Sequence, residues 1–299
     1  MTYLVLISSL ALSLKILALW NVRELLRSAS MPVLVIFTAF FVMNICELIG
    51  FRVSQTDANG LPVLILYYGF AVLASFSMLA LALDNTGLDR RLWAIPLVTT
   101  FIVVVVTLLS PGAAIVGIEN IGFSATRVPG PYYFVVQLGL IVPLLSMIGI
   151  LTFSATTAKN RTSSSLAKIY LIAFAPVAIT GVFIVLLMSL GAKINASGFV
   201  SLVVCGTIWV LLYTSTKKNQ YVFMSYIPNT KENRSVHSIA AHLACPENGL
   251  KQALANLEAQ IIKETLAMTE GNITHASEIL GIGRSTLSQK AAKLEVNDH

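Results

Sequence analysis

Residues 61–83 read LPVLILYYGFAVLASFSMLALAL, an apolar run without one charged side chain. A helix needs about 20 such residues to cross the roughly 30 Å hydrocarbon core of a bilayer. Similar runs recur on both sides of this one, so residues 1–216 predict a bundle of seven membrane-spanning helices. The seven runs are Thr2–Trp20, Met31–Gly50, Leu61–Leu83, Leu92–Ser110, Tyr132–Phe153, Ile169–Leu190 and Phe199–Thr216.

The composition of the whole chain agrees with this interpretation. Of 299 residues, 56% are hydrophobic and 11% are charged, whereas soluble domains carry about 25% charged residues. So few charges cannot cover a large water-facing surface, which argues against a soluble enzyme. The three cysteines, Cys46, Cys205 and Cys245, are far apart and predict neither a disulfide framework nor a metal site.

The character of the sequence changes near residue 216. Residues 217–299 contain 17 charged residues among 83, together with all four histidines. Residues 217–245 predict a linker, since they combine Pro228, several Ser and Asn residues and mixed charge. Residues 246–299 predict a small helical domain, so the expected fold class is all-α throughout.

The orientation follows from Lys and Arg in the short loops, because such residues remain in the cytoplasm. Loops one, three and five carry seven of them: Arg23, Arg27, Arg90, Arg91, Lys159, Arg161 and Lys168. Loops two, four and six carry three: Arg52, Arg127 and Lys193. We therefore expect an outer N-terminus and a cytoplasmic tail.

The predicted spans lack the motifs of several known chemistries. They contain no histidine, no H-E-x-x-H and no G-x-S-x-G. The seventh run has no lysine for a retinal Schiff base. The third run does not end in the acidic-Arg-Tyr triplet of G-protein-coupled receptors, and the seventh lacks their Asn-Pro-x-x-Tyr motif. We expect no enzyme activity, no cofactor and no metal.

Polar residues collect toward the predicted outer ends of the spans, which favours a ligand pocket open to the outside. An ionisable residue within a span indicates a functional site, and Glu47 is the charged member here. The alternative is that Glu47 lies at the headgroup level and pairs with Arg52. The candidate pocket residues are Asn44, Glu47, Tyr67, Tyr68 and Gln137.

Two further features bear on the predicted bundle. The loop Pro111–Pro131 contains four glycines and is long enough to fold over the outer mouth as a lid. Lys15 interrupts the first run near one end, where we expect its side chain to reach the membrane interface.

The tail ends in a specific pattern. In residues 248–269, leucine and isoleucine recur at helical spacing. A short polar-capped segment, Asn272–Leu280, then leads through the Gly281-Ile282-Gly283 turn into a last helix, Arg284–Leu294. Two helices joined by a glycine-containing turn predict a helix-turn-helix. Its expected core is Ala276, Ile279, Leu280, Ile282, Leu287, Ala291 and Leu294.

The run GNITHASEILGIGRSTL at residues 271–287 resembles the Fis-type helix-turn-helix of bacterial regulators. The resemblance covers about 50 residues and implies DNA binding by a homodimer, formed by the long helix at about Gly249–Thr269. It implies that the last helix enters the major groove. The DNA contacts that it implies are Asn272, Thr274, Arg284, Thr286, Gln289, Lys290 and Lys293. His275, Ser288 and Gln289 stand where the family often has basic residues, and packing without DNA is the alternative.

Together these features predict a membrane-embedded one-component transcription regulator of the bacterial inner membrane. Its signal would be a small molecule or the state of the membrane lipid. The chain has no Gly-Lys dipeptide and so no Walker A motif. The alternative is a seven-span transporter or channel with a regulatory tail, which would need a continuous polar path through the bundle.

The predicted orientation is testable by reporter fusions. A reporter fused after Thr216 should be active only if it functions in the cytoplasm. The reason is that the loops predicted on that side carry seven basic residues, whereas the outer loops carry three. A fusion within residues 54–59 should give the opposite result. Activity of a periplasmic reporter after Thr216 would mean that a span had been miscounted.

Overall fold

The computed structural model describes residues 2–21, 30–53, 60–121, 125–157, 161–214, 217–228, 230–244, 249–269 and 271–296. The chain divides into two compact units, Met1–Ser215 and Thr216–His299. The described part of the first unit contains α1 (Thr2–Asn21), α2 (Met31–Val53), α3 (Leu61–Asn85), α4 (Arg90–Leu109), β1 (Ile115–Asn120), β2 (Ala125–Pro129), α5 (Tyr133–Thr157), α6 (Arg161–Ser189) and α7 (Ser197–Tyr213). The second contains α8 (Lys217–Ser225), α9 (Lys231–Ala244), α10 (Gly249–Met268), α11 (Ile273–Leu280) and α12 (Arg284–Val296).

The all-α fold class is confirmed. Among the described residues, five helices are long and apolar enough to cross a membrane, namely α2, α3, α4, α5 and residues Ser163–Ser189 of α6. Two shorter apolar helices, Val5–Trp20 within α1 and Ser197–Tyr213, accompany them. The number of seven spans stays a prediction, as does the orientation.

Six of the described helices of the first unit form a closed ring. Helix α1 packs against α2 and α7, and the ring continues through α3, α5 and α6. Helix α4 lies outside it against α3 and α5, and its buried side chains are only Val104 and Leu108. The ring encloses a core of aromatic, methionine and aliphatic side chains, including Ile36, Phe40, Met78, Met147 and Phe174.

The packing of α4 depends on a glycine. A Cβ atom at Gly139 of α5 would lie 2.7 Å from Val104 Cγ1 and 2.8 Å from Val104 Cγ2. Only a residue without a side chain permits this approach. Gly149, on the same helix, has nothing within 4 Å of the equivalent position.

In the described part of the segment between α4 and α5, β1 and β2 pair as an antiparallel hairpin, which corrects the expectation of a loop. Ile118 pairs with Arg127 and Asn120 with Ala125. The glycines of Pro111–Pro131 favour a loop, but Ile115, Val116, Thr126 and Val128 are β-branched and fit an extended strand. An exposed ion pair, Lys193 Nζ to Glu119 Oε1 at 2.5 Å, joins the hairpin to the α6–α7 connection.

The segment predicted as a linker, residues 217–245, is also more ordered than its composition suggests, since α8 and α9 occupy most of it. Ser235 of α9 donates a hydrogen bond to Glu264 of α10. Partial burial and the Glu264 carboxylate raise the pKa of the Tyr221 phenol on α8. These helices contact their neighbours through polar groups. They therefore lack the apolar periodicity from which a sequence predicts a helix.

The contact at Gly139 gives a prediction for stability. Gly139→Ala should lower stability by about 1–3 kcal/mol, because overpacking forces neighbours apart, whereas Gly149→Ala should be nearly neutral. Most of the penalty should vanish in a Val104→Ala background, as expected for residues in contact. Thiol labelling on heating measures this in a Cys245→Ser chain, where the buried Cys46 and Cys205 report unfolding. Equal midpoints for the two glycine variants would contradict the packing argument.

Candidate functional site

The first unit contains a cavity of about 200 Å³ beneath the hairpin. Helices α2, α3, α5 and α6 supply most of its lining, and the start of α7 and the hairpin complete it. The lining is mainly apolar, with Phe40, Tyr67, Leu144 and Val177 among its members. Such a mainly apolar hollow with a few polar groups is typical of a small-molecule site.

Three of the five predicted pocket residues line this cavity, namely Glu47, Tyr67 and Tyr68. Asn44 and Gln137 are not among its lining residues. Asn44 is fully buried, and its Nδ2 donates to Ser8 Oγ at 2.7 Å. Gln137 Nε2 donates to Ser189 Oγ at 2.7 Å. The place of Gln137 in a ligand pocket stays a prediction.

Glu47 is 6% exposed. Its Oε2 accepts a hydrogen bond from Ser201 Oγ of α7 at 2.8 Å, and its Oε1 has no hydrogen-bond partner. Arg52 is exposed. The alternative of a headgroup-level pair with Arg52 is therefore wrong, because the Glu47 carboxylate points into the bundle.

Lys15 also differs from the expectation. It is 2% exposed, and its Nζ donates to Asn44 Oδ1 at 2.8 Å. It does not extend to an interface as expected, because Asn44 offers an acceptor within the bundle. Its ammonium interacts electrostatically with the Glu47 carboxylate.

The sequence missed two polar residues that the hairpin contributes to the cavity, Thr126 and Arg127. Arg127 is 7% exposed, and its guanidinium carbon lies 4.5 Å from the centre of the Tyr133 ring. An arginine in a predicted outer loop is expected to be exposed, so that expectation offers no reason to place Arg127 in the cavity. The signal that indicates burial is the run of β-branched residues around it.

The helix-turn-helix in the second unit is built as its residues predict. Asn272 Oδ1 accepts from the backbone N–H groups of Thr274 and His275, both at 3.1 Å, and so caps α11. Gly281 ends this helix with φ of 66°, a left-handed conformation that favours glycine. Both ends of α11 are thus determined by residues within the motif itself.

A small core holds the last three helices together. Ala276 and Leu287 are fully buried and contact Ile262 of α10, with partly buried neighbours around them. The prediction that Ile279 belongs to this core is wrong, because its side chain is 54% exposed. The side chain of Leu294, also predicted here, lies outside the described residues.

The first turns of α12 present polar side chains to solvent. Arg284, Thr286 and Gln289 are exposed, as are Asn272 and Thr274 before and within α11. Lys293 belongs to α12, but its side chain lies outside the described residues. Five of the seven predicted DNA contacts are therefore accessible.

Lys290 is engaged differently. Its Nζ forms an ion pair with Glu258 of α10. The ammonium is half-buried, and the pair ties the last helix to the long one. Sequence reasoning assigned Lys290 to DNA alone, because the two residues are 32 positions apart.

Comparison with known families agrees with this geometry. Comparison with curated proteins gives no match for the chain. Residues 253–294 match the family model described as Bacterial regulatory protein, Fis family. The match begins within α10 and ends within α12, so the last three helices form a Fis-type helix-turn-helix.

Proposed function

We propose that the protein is a membrane-embedded one-component transcription regulator. The first unit senses a signal in the bacterial inner membrane, and the second binds DNA in the cytoplasm. The observation that carries the proposal is the joining, in one chain, of a Fis-type helix-turn-helix to five helices long and apolar enough to cross a membrane.

The exposed side chains of α12 support DNA binding. Arginine bridges guanine O6 and N7 in the major groove, and Arg284 is exposed at the first residue of the helix. Hydroxyl and amide groups contact phosphates, which suits Thr274, Thr286 and Asn272. With few cations nearby, we expect these contacts to suffice only when two copies bind together.

Exposed apolar residues on the long helix support pairing with a second copy. Leu254 is 56% exposed and Ile261 is 45% exposed. They lie seven residues apart and so share one face of α10. A homodimer formed on this face would present two recognition helices about 34 Å apart, one turn of DNA.

The surface of the first unit supports insertion in lipid. Helix α4 exposes a nearly continuous apolar face, with Leu92 and Ile95 each 73% exposed and Val106 58% exposed. Soluble monomers rarely expose apolar patches larger than a few hundred Å². In a bilayer this face would contact acyl chains.

The transporter or channel alternative is less well supported. Away from the hairpin, the described part of the bundle is filled by buried apolar residues such as Phe37, Leu81, Ala82, Leu151 and Phe174. A transport path would need polar groups through this region. The cavity therefore resembles a blind site open toward one end, which suits sensing.

A route for the signal is present along the chain. Helix α7 supplies Ser201, which bonds the cavity residue Glu47, and the chain leaves α7 at Tyr213 to begin α8 at Lys217. A ligand affects the output only if it binds two conformations with different affinity. We propose that a displacement of α7 is that difference.

The proposed readout gives a prediction for DNA binding. Arg284→Ala should weaken binding at the cognate site by about 1–3 kcal/mol and relax its sequence preference. Lys293→Ala should weaken binding to all sequences alike and lower the salt slope by about one. As a control, Arg234→Ala removes an exposed cation from α9 and should leave the sequence preference unchanged. Titrations of full-length protein in lipid nanodiscs measure all three. No binding at low salt on genomic fragments would refute the DNA-binding proposal.

The ion pair of Lys290 gives a second prediction. Glu258→Gln should increase DNA affinity, because it releases an ammonium that then contacts a phosphate. Glu278→Gln is the matched control, since it removes the same charge from an exposed residue of α11. Affinity measured in the same nanodiscs should rise more for Glu258→Gln than for Glu278→Gln. An equal rise would mean that only net charge matters and that Lys290 makes no phosphate contact.

A further inference from the structure

Three buried polar atoms that line the cavity have no hydrogen-bond partner. They are Glu47 Oε1, Thr126 Oγ1 and Arg127 Nε. Their residues are 6%, 4% and 7% exposed, and all three contribute to the lining. They come from distant parts of the chain, α2 and the hairpin, yet converge on one hollow.

Such atoms are unusual in a folded protein. More than about 90% of buried polar groups have a partner, because an unpaired group loses its hydrogen bonds to water without replacing them. The residues of the two donors and one acceptor line the same cavity, where one molecule can satisfy them together. Their convergence indicates a binding site more directly than the size of the cavity does.

The charges around the cavity are unequal. Near the Glu47 carboxylate lies the Lys15 ammonium, which interacts with it electrostatically. Arg127 has no carboxylate partner among the described residues, and its guanidinium lies over the Tyr133 ring. The charge left without compensation is therefore positive and lies at the hairpin.

We propose that the cavity binds a small anionic amphiphile, a short carboxylic acid with an apolar body and one hydroxyl or amino group. Its carboxylate would accept a hydrogen bond from Arg127, and its hydroxyl or amine would donate to Glu47 Oε1. The apolar body would lie among the aromatic and aliphatic residues that line the cavity. The role of this ligand as signal rests on the proposed function, whereas its binding does not.

The size of the cavity and the hairpin are consistent with such a ligand. About 200 Å³ is below the roughly 300–1,000 Å³ of sites for drug-sized molecules. The hairpin is held by the Lys193–Glu119 ion pair and by Asn195 Nδ2, which donates to Ala125 O at 3.3 Å. Both contacts join the hairpin to the connection between α6 and α7, where Ile194 and Asn195 also line the cavity.

Three probes of nearly equal size test the proposal on the unaltered protein. They are 3-hydroxyhexanoate, hexanoate without the hydroxyl, and 1,3-hexanediol without the carboxylate. Equilibrium dialysis against full-length protein in nanodiscs measures each affinity. We expect 3-hydroxyhexanoate to bind most tightly and each incomplete probe to bind about 10- to 100-fold more weakly, as for one hydrogen bond to a charged group. Equal affinities for all three, or no binding by any, would overturn the proposal.

Variants then assign each group of the ligand to a residue. Arg127→Gln should abolish the advantage of 3-hydroxyhexanoate over the diol, and Arg127→Lys should retain part of it. Glu47→Gln should reduce the advantage of 3-hydroxyhexanoate over hexanoate. Arg52→Gln is the control, because Arg52 is exposed and does not line the cavity. If Arg127→Gln fails to fold, Arg127→Lys and the probe series on the unaltered chain still decide the outcome.

DNA binding distinguishes this proposal from the proposed function. Probe binding that changes DNA affinity supports both. Probe binding without any effect on DNA affinity supports the site and overturns its role as sensor. DNA binding without any probe binding overturns the ligand proposal and leaves the DNA-binding function standing.

Discussion

The first unit depends on one constraint, that polar groups within an apolar bundle must find their partners inside it. Lys15, Asn44 and Ser8 meet this constraint with hydrogen bonds of 2.8 Å and 2.7 Å between α1 and α2. Ser201 of α7 meets it by bonding Glu47, and Cys205 Sγ donates to Ala11 O of α1 at 3.3 Å. These contacts join the first, second and last helices of the bundle and so determine where the ring closes. An apolar contact at this position would not define which faces meet.

The same constraint distinguishes the cavity from the rest of the core. Elsewhere in the described bundle, hydroxyl groups bond carbonyl groups, as Thr207 Oγ1 does with Ala173 O at 2.6 Å. At the hairpin, Thr126 and Arg127 are buried without such partners. The proposed site is thus a local exception to this pattern, and it includes Glu47 Oε1 of α2. Two of its three unpaired atoms, Thr126 Oγ1 and Arg127 Nε, come from the hairpin, where the backbone departs from helix.

The sequence predicts what depends on local patterns and misses what depends on distant pairs. Apolar runs predict the helices of the first unit, and Asn272 and Gly281 predict both ends of α11, because caps act on their own neighbours. Lys15 and Asn44 are 29 residues apart, and Lys290 and Glu258 are 32 apart, so no spacing rule connects them. Ile279 shows a third case, in which helical periodicity marks an apolar face that the fold leaves exposed. Glu47 was recognised because an acid within an apolar run is informative by itself, whereas Arg127 required knowledge of the hairpin.

The buried lysine of α1 also has a consequence for the order in which the chain is assembled. For a chain that inserts in a membrane as proposed, a lysine within a spanning helix costs up to about 2.5–3.5 kcal/mol, the value at the helix centre. Its acceptor in α2 follows soon during synthesis, but Cys205 of α7 lies 194 residues after Ala11. At about 5–20 residues per second, that interval lasts about 10–40 seconds. The contact between α1 and α7 therefore cannot form until α7 has been synthesised, and the ring closes only then. The second unit follows α7 in the chain, so the ribosome makes it after the described helices of the first unit.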